Sequence, residues 1–357
     1  MSKNRALTAN RIHLEIKSFL LAGTLLLSVA PIFSNVSVAA EIKTVALMTP
    51  DPATDFGWNQ QAADAIRAVA AEKGVEVIVA EGLGYGDIRP SVRELAADGA
   101  QLIIGHATGW NTAIAEAANE ISVPVAVVDL PQGMKAGLVG DYTVSGHEGA
   151  YLAGRLSALM TRTGTVAVVV SAEPMVFNTQ SAGFVRGVRD ANPDVRVLYS
   201  VVGPAAYMDA AAARRVTEQT IAAGADIVFG QGNGASFGIM QAVETTPAVD
   251  GKQAWFIDVI GDKSSLDKGY LLTSVMWNLE GVYARMIDDL RADTYAQAQY
   301  KIGISDESVH LLKTKHIPED VWAKVQEIRQ EIVDGKISVE PVFDAAEVRK
   351  LMGVAVE

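Results

Sequence analysis

Asp55-Phe56-Gly57-Trp58-Asn59-Gln60 puts a carboxylate, an indole and a carboxamide within one short stretch. It lies between an apolar run at 44–48 and a helical pattern with apolar positions at Ala62, Ala65, Ile66, Val69 and Ala70. A strand that feeds a loop opening a helix is where a parallel α/β sheet holds a ligand. An aromatic face, a carboxylate, a carboxamide and free helix N–H groups suit a flat, polar heterocycle better than a phosphate. The tripeptide Asp-Phe-Gly also occurs in protein kinases, but no catalytic loop precedes it here.

Other candidate groups follow later strands. His106 and Trp110 stand after the run 101–105, and Asp129 ends the run 125–129. Asp129, like Asp141, is placed to accept from an exocyclic amine, although a carboxylate there also serves as a helix cap. Met175 and Glu173 follow the run 165–170. Gly230-Gln231-Gly232-Asn233-Gly234 is a poor dinucleotide fingerprint; its glycines instead let Gln231, Asn233 and the backbone approach a ligand closely. With aromatic residues at only 6%, Trp58, Trp110 and Trp277 stand out in expected loops.

Apolar runs at 44–48, 75–80, 101–105, 125–129 and 138–141 alternate with helical patterns. After a helix over 145–161 the pattern starts again, with runs at 165–170, 195–200, 226–230 and 255–259. Near-continuously apolar strands separated by helices predict parallel sheets covered on both faces. The chain is therefore α/β with two lobes, each a parallel sheet with helices on both faces. The expected division is residues 41–144 with 280–312 in the first lobe, and 145–279 with 313–357 in the second. The end of the chain reads as a long helix from 281, another over 318–334 and a tail from 337 that covers the lobes.

Residues 1–40 read as a signal peptide: Lys3, Arg5, Arg11 and Lys17, an apolar stretch over 19–30, then Val38-Ala39-Ala40 for cleavage. The expected product is exported, soluble and periplasmic. Residues 41–357 carry 26 basic and 41 acidic side chains, a balance of −15 that argues against nucleic acid or an anionic membrane as partner. With no cysteine there is no disulfide, no thiolate metal site, no cysteine nucleophile and no lipoprotein anchor. His13, His106, His147, His310 and His316 have no metal-ligand spacing, and no nucleophile elbow or zinc-protease motif is present. No metal, cofactor or catalytic residue is expected, and the chain reads as a non-enzyme.

Tyr151-Leu-Ala-Gly-Arg-Leu-Ser-Ala-Leu-Met-Thr-Arg-Thr-Gly164 resembles the basic membrane protein family of ABC-importer substrate-binding proteins. Asp55…Trp58-Asn59-Gln60, Gly183-Phe184…Gly187, Asn192-Pro193-Asp194, Gly224-Ala225-Asp226 and Thr273-Ser274 match in the family's order. The resemblance implies the two-lobed type I flytrap fold, a purine-base or nucleoside-like solute in the interlobe cleft, and a membrane permease as partner, with the protein a monomer. It implies that Trp58 stacks on the base and that Asp55 and Asn59 make polar contacts. Two positions depart: Ile260 stands where the family has Asp in an Ile-Gly-Val-Asp turn, with Asp258 and Asp262 nearby, and Trp277 stands where it has Lys. Since the resemblance assigns that Asp and Lys to the ribose, a sugarless ring gains ground. A ligand-presenting sensor for a non-purine solute, or a secreted α/β enzyme, is the alternative.

Overall fold

A computed structural model describes residues 41–354, so the expected signal peptide lies outside the described residues. The first half contains β1 (Thr44–Met48), α1 (Trp58–Lys73), β2 (Glu76–Ala80), α2 (Arg89–Ala97), β3 (Leu102–Gly105), α3 (Asn111–Ile121), β4 (Val125–Val128) and β5 (Val139–Val144). The second contains α4 (Gly146–Met160), β6 (Thr165–Val170), α5 (Met175–Ala191), β7 (Arg196–Val201), α6 (Ala210–Ala222), β8 (Ile227–Gln231), α7 (Ser236–Thr245), β9 (Trp255–Ile260) and β10 (Leu271–Trp277). The chain ends with α8 (Glu280–Arg291), β11 (Tyr300–Ile302), β12 (Val309–Leu311), α9 (Glu319–Val333) and α10 (Ala345–Met352).

Two sheets result, ordered β11-β5-β4-β3-β1-β2 and β12-β10-β9-β8-β6-β7. Every pairing is parallel except β12 against β10. β3, β4 and β6 are buried at every residue, as a sheet covered on both faces requires. Alternate residues of each strand supply different cores: Val45 and Leu47 enter a core that continues through both lobes, while Ala46 and Met48 enter a second core on the other face. The two-lobed α/β architecture expected from the sequence is the one observed.

The chain passes between the sheets three times, after β5, after β10 and between β11 and β12. Val309–Leu311, grouped by sequence with the first lobe, pair with β10 of the second sheet. β10, β11, β12 and α10 were not anticipated as elements. β11 and β12 have three residues each, too short for a periodic signal.

The largest helix contact is α4 against α5, and small residues make it. A Cβ on Gly154 would overlap the Phe184 carbonyl, one on Gly183 the His147 carbonyl, and one on Gly187 the Tyr151 carbonyl. The backbones therefore touch without side chains between them. Gly187→Ala should push the helices apart and cost about 1–3 kcal/mol. A urea midpoint equal to wild type would show that the helices part freely.

Candidate functional site

Loops at the carboxyl ends of β1, β3 and β4 face those after β6, β8 and β9. Several non-glycine residues there adopt left-handed backbone: Phe56 (φ 50°), Asp129 (φ 59°), Asn233 (φ 47°) and Ile260 (φ 74°). For a β-branched residue such as Ile260 that conformation is costly and persists only where surrounding contacts dictate it.

Asp55 fixes the first of these loops. Its buried carboxylate accepts from the backbone N–H of Gly57 (3.0 Å), Asn59 (3.1 Å) and Gln60 (3.0 Å), and from Asn59 Nδ2 (2.8 Å). The anion thus satisfies the open N–H groups at the start of α1. Asn59 is fully buried and lies 3.5 Å from the Asp51 N–H through Oδ1. The carboxylate and carboxamide proposed to meet a ligand are engaged by their own loop.

Trp58 opens α1 and is 7% exposed. Its indole stacks on His106 at 4.0 Å, and Nε1 donates to the His106 carbonyl at 2.8 Å. His106 Nε2 donates to the Trp58 carbonyl (3.0 Å), so Nδ1 is left to accept from the Tyr142 hydroxyl. Full burial holds the imidazole neutral, with its pKa pulled down to about 3. Trp277 meets Trp58 edge-on at 6.1 Å and packs so closely on Gly146 that no Cβ fits there. Gln61 Nε2 donates to the Trp277 carbonyl at 2.8 Å, tying α1 to β10. Trp110 instead turns into the core between the first sheet, α2 and α3.

Two cavities lie between the lobes. One, of about 60 Å³, has Trp58, Tyr85 and 107–109 on the first-lobe side and Phe177, Tyr207 and Asn233 on the second. Tyr85 and Tyr207 stack across it at 6.1 Å, and Phe177 meets Tyr207 edge-on at 6.2 Å. The other, of about 550 Å³, is lined by Asp129, Thr143, Lys301, Met175, Val176 and Phe343 among others. Val176 borders both. Burial pushes the Asp129 carboxyl up to about 7, against the opposing pull of Thr143. Asp141, its neighbour, is occupied by the Leu130 N–H and by Gln299 Nε2 at 2.7 Å.

The remaining second-lobe candidates are engaged by neighbouring groups of their own lobe. Gln231 is buried and donates to Ser181 Oγ at 2.8 Å. Asp258 is buried against Lys263, itself 1% exposed, and accepts from Ser236 Oγ at 3.3 Å. Asp262 is exposed and accepts from the Ser264 N–H at 2.7 Å. Sequence reasoning missed Tyr85, Phe177, Tyr207 and Lys263. The three aromatics all follow strand ends in a chain poor in aromatics, which was the available signal. Among the described residues no group of three or more His, Asp or Glu converges to hold a metal ion.

His106 makes a pH prediction. Its folded pKa lies below the unfolded value of about 6.5, so its contribution is complete above that pH and is lost as pH falls from about 6.5 toward 3. His106→Gln, which cannot titrate, should lose less stability than wild type between pH 6.5 and 4, by a few kcal/mol on an order-of-magnitude scale. Parallel curves of urea midpoint against pH would contradict it.

The family described as "ABC transporter substrate-binding protein PnrA-like" matches residues 42–341. A "CD4+ T-cell-stimulating antigen" of Listeria innocua is 27% identical over 211 residues, 54% of this chain and 57% of that protein. The chain thus matches little more than half the length of that relative. The "ABC transporter nucleoside-binding protein BmpA" of Lactococcus lactis is 22% identical over 329 residues, covering 85% of this chain and 90% of that one. Among solved structures, an ABC transporter solute-binding protein from Aeropyrum pernix superposes with a TM-score of 0.74 at 19% identity, over 86% of this chain and 96% of that chain. Two sheets in the same strand order, parallel but for β12, a cleft between their strand ends and a family match over residues 42–341 agree: the chain belongs to the PnrA-like family of ABC transporter substrate-binding proteins.

Proposed function

We propose that the protein is the solute-binding component of an ABC importer, working outside the cytoplasm and handing a small heteroaromatic solute to a membrane permease. The observation that carries this is the aromatic cavity whose walls come from both lobes, Trp58 and Tyr85 facing Phe177 and Tyr207. A flat ring held between such walls gains contact with both lobes only when they are together, so it stabilises closure by its differential affinity. The ring enters while the lobes are apart, and on closure its volume is shared between this cavity of about 60 Å³ and the adjoining one of about 550 Å³, which Val176 also borders. The adjoining cavity offers the Asp129 carboxylate to a polar edge, such as an exocyclic amine.

The ring we infer is sugarless. A buried ribose needs hydrogen-bond partners, and each polar group left without one costs about 1–3 kcal/mol. At the two positions where the family resemblance places charged partners, this chain has Ile260 and Trp277. Asp258 does not substitute, because Lys263 holds it in the second lobe, and Asp262 points to solvent as a loop cap. A free purine is therefore expected to bind more tightly than its nucleoside. Calorimetric titration of adenine, guanine and hypoxanthine beside their nucleosides tests this. A nucleoside binding about tenfold tighter than its base, a difference of about 1.4 kcal/mol, would sink the sugarless reading. Failure of all six would sink the purine reading altogether.

A further inference from the structure

Lys263 is a buried lysine whose ammonium makes two contacts. One is the ion pair with Asp258, within the second lobe. The other crosses the cleft: Nζ donates to the Phe56 carbonyl at 3.0 Å. That carbonyl belongs to the loop that Asp55 ties to the start of α1, immediately before Trp58. Two residues before Lys263, Gly261 presses its bare backbone on the same carbonyl; a Cβ there would overlap Phe56 O and lie 2.7 Å from Phe56 C and 3.4 Å from Gly57 Cα. The nearest atoms to that Cβ thus all belong to the opposite lobe. Ile260, in left-handed backbone, delivers Gly261 to this contact, and Ser274 Oγ donates to the Gly261 carbonyl at 2.8 Å to hold the turn.

We propose that Gly261 and Lys263 form a clasp that closes the second lobe onto the Phe56–Gly57 peptide without help from solute, making Lys263 a positioning residue for solute capture. Asp258 acts through it. A lysine facing a carbonyl across an open cleft is solvated and gains little, whereas the closed contact excludes water and sets a charge-assisted hydrogen bond in place. The ammonium stays neutralised by Asp258 throughout, so closure does not strand an unpaired buried charge. Solute and clasp then act on the same equilibrium: whatever the clasp contributes raises the fraction of closed, binding-competent protein, and with it the apparent affinity. The clasp rests on the binding reading above only for its use; its contacts are made by side chains and backbone of the chain itself.

The test follows lobe separation rather than binding alone. The chain has no cysteine, so Glu94→Cys on α2 and Arg215→Cys on α6, both exposed and one in each lobe, accept spin labels selectively. Pulsed electron resonance on the solute-free protein should give a majority distance matching the closed lobes. Gly261→Ala keeps both lobes intact, since its backbone lies outside the left-handed region and its new methyl meets only the other lobe. It should move the distribution to longer distances and lower the closed fraction about tenfold, with the thermal midpoint unchanged. The pair Lys263→Met with Asp258→Asn, which leaves no lone buried charge, should shift the distance in the same direction.

A wild-type distribution already dominated by the long distance would overturn the proposal, as would unchanged distances in both variants. A shift in Gly261→Ala alone would overturn the role of Lys263, leaving closure to shape. Adenine added to the labelled Gly261→Ala variant, whose lobes are expected to be apart, is the binding arm. Adenine failing to shift that variant back toward the short distance counts against the purine reading and leaves the clasp result standing.

Discussion

A buried carboxylate capping one helix organises the first-lobe side of the cleft. Asp55 gathers the N–H groups of Gly57, Asn59 and Gln60, and in doing so bends the chain through the left-handed Phe56. That bend turns the Phe56 carbonyl toward the second lobe and aims Trp58 at His106. The reciprocal bonds between Trp58 and His106 then lock the ends of β1 and β3 together. Without the cap, neither the indole nor the carbonyl would have a fixed position. The stretch is chemically rich because it is structural, and only its Trp58 and Phe56 edges reach the cleft.

The fold was legible because its signals are long and repeated. Two rounds of apolar run and helical pattern specify two covered parallel sheets, and the order of short motifs through the chain points to one family. The site was legible in location but not in detail. Carboxylates such as Asp55 and Asp258 have the composition of ligand contacts, yet one is consumed by a helix start and the other by Lys263, which only three-dimensional proximity reveals. Trp110 reads as a loop residue available to a ligand because it follows a strand, but the turn at 108–110 folds it inward. Tyr207 faces Tyr85 from more than a hundred residues away, a distance across which no local periodicity operates.

The two halves use the same strand order but different devices at their strand ends. The first lobe presents rings and a carboxylate; the second presents Phe177, Tyr207 and a turn stripped to Gly261. Complementarity of this kind needs one side to be rigid where the other is bare. The C-terminal segment supplies part of that rigidity. Arg349 of α10 pairs with Glu173, which also accepts from the Tyr199 hydroxyl at 3.0 Å, and Asn178 Nδ2 donates to the Phe343 carbonyl at 2.8 Å. The start of α5, which carries Val176 and Phe177, is strapped from outside.

The threefold passage of the chain between the sheets bears on how the molecule comes to be made. The first sheet has its edge strand, β11, at residues 300–302, and its helix α1 is covered by α8 through Lys73 and Asp288. Both pieces are synthesised only after β6 to β10 of the other lobe. Folding cannot run to completion lobe by lobe along the nascent polypeptide, and pairing β11 with β5 joins residues 158 positions apart, Tyr300 with Tyr142. Such high contact order slows folding and keeps the emerging chain unfinished until its last third has appeared.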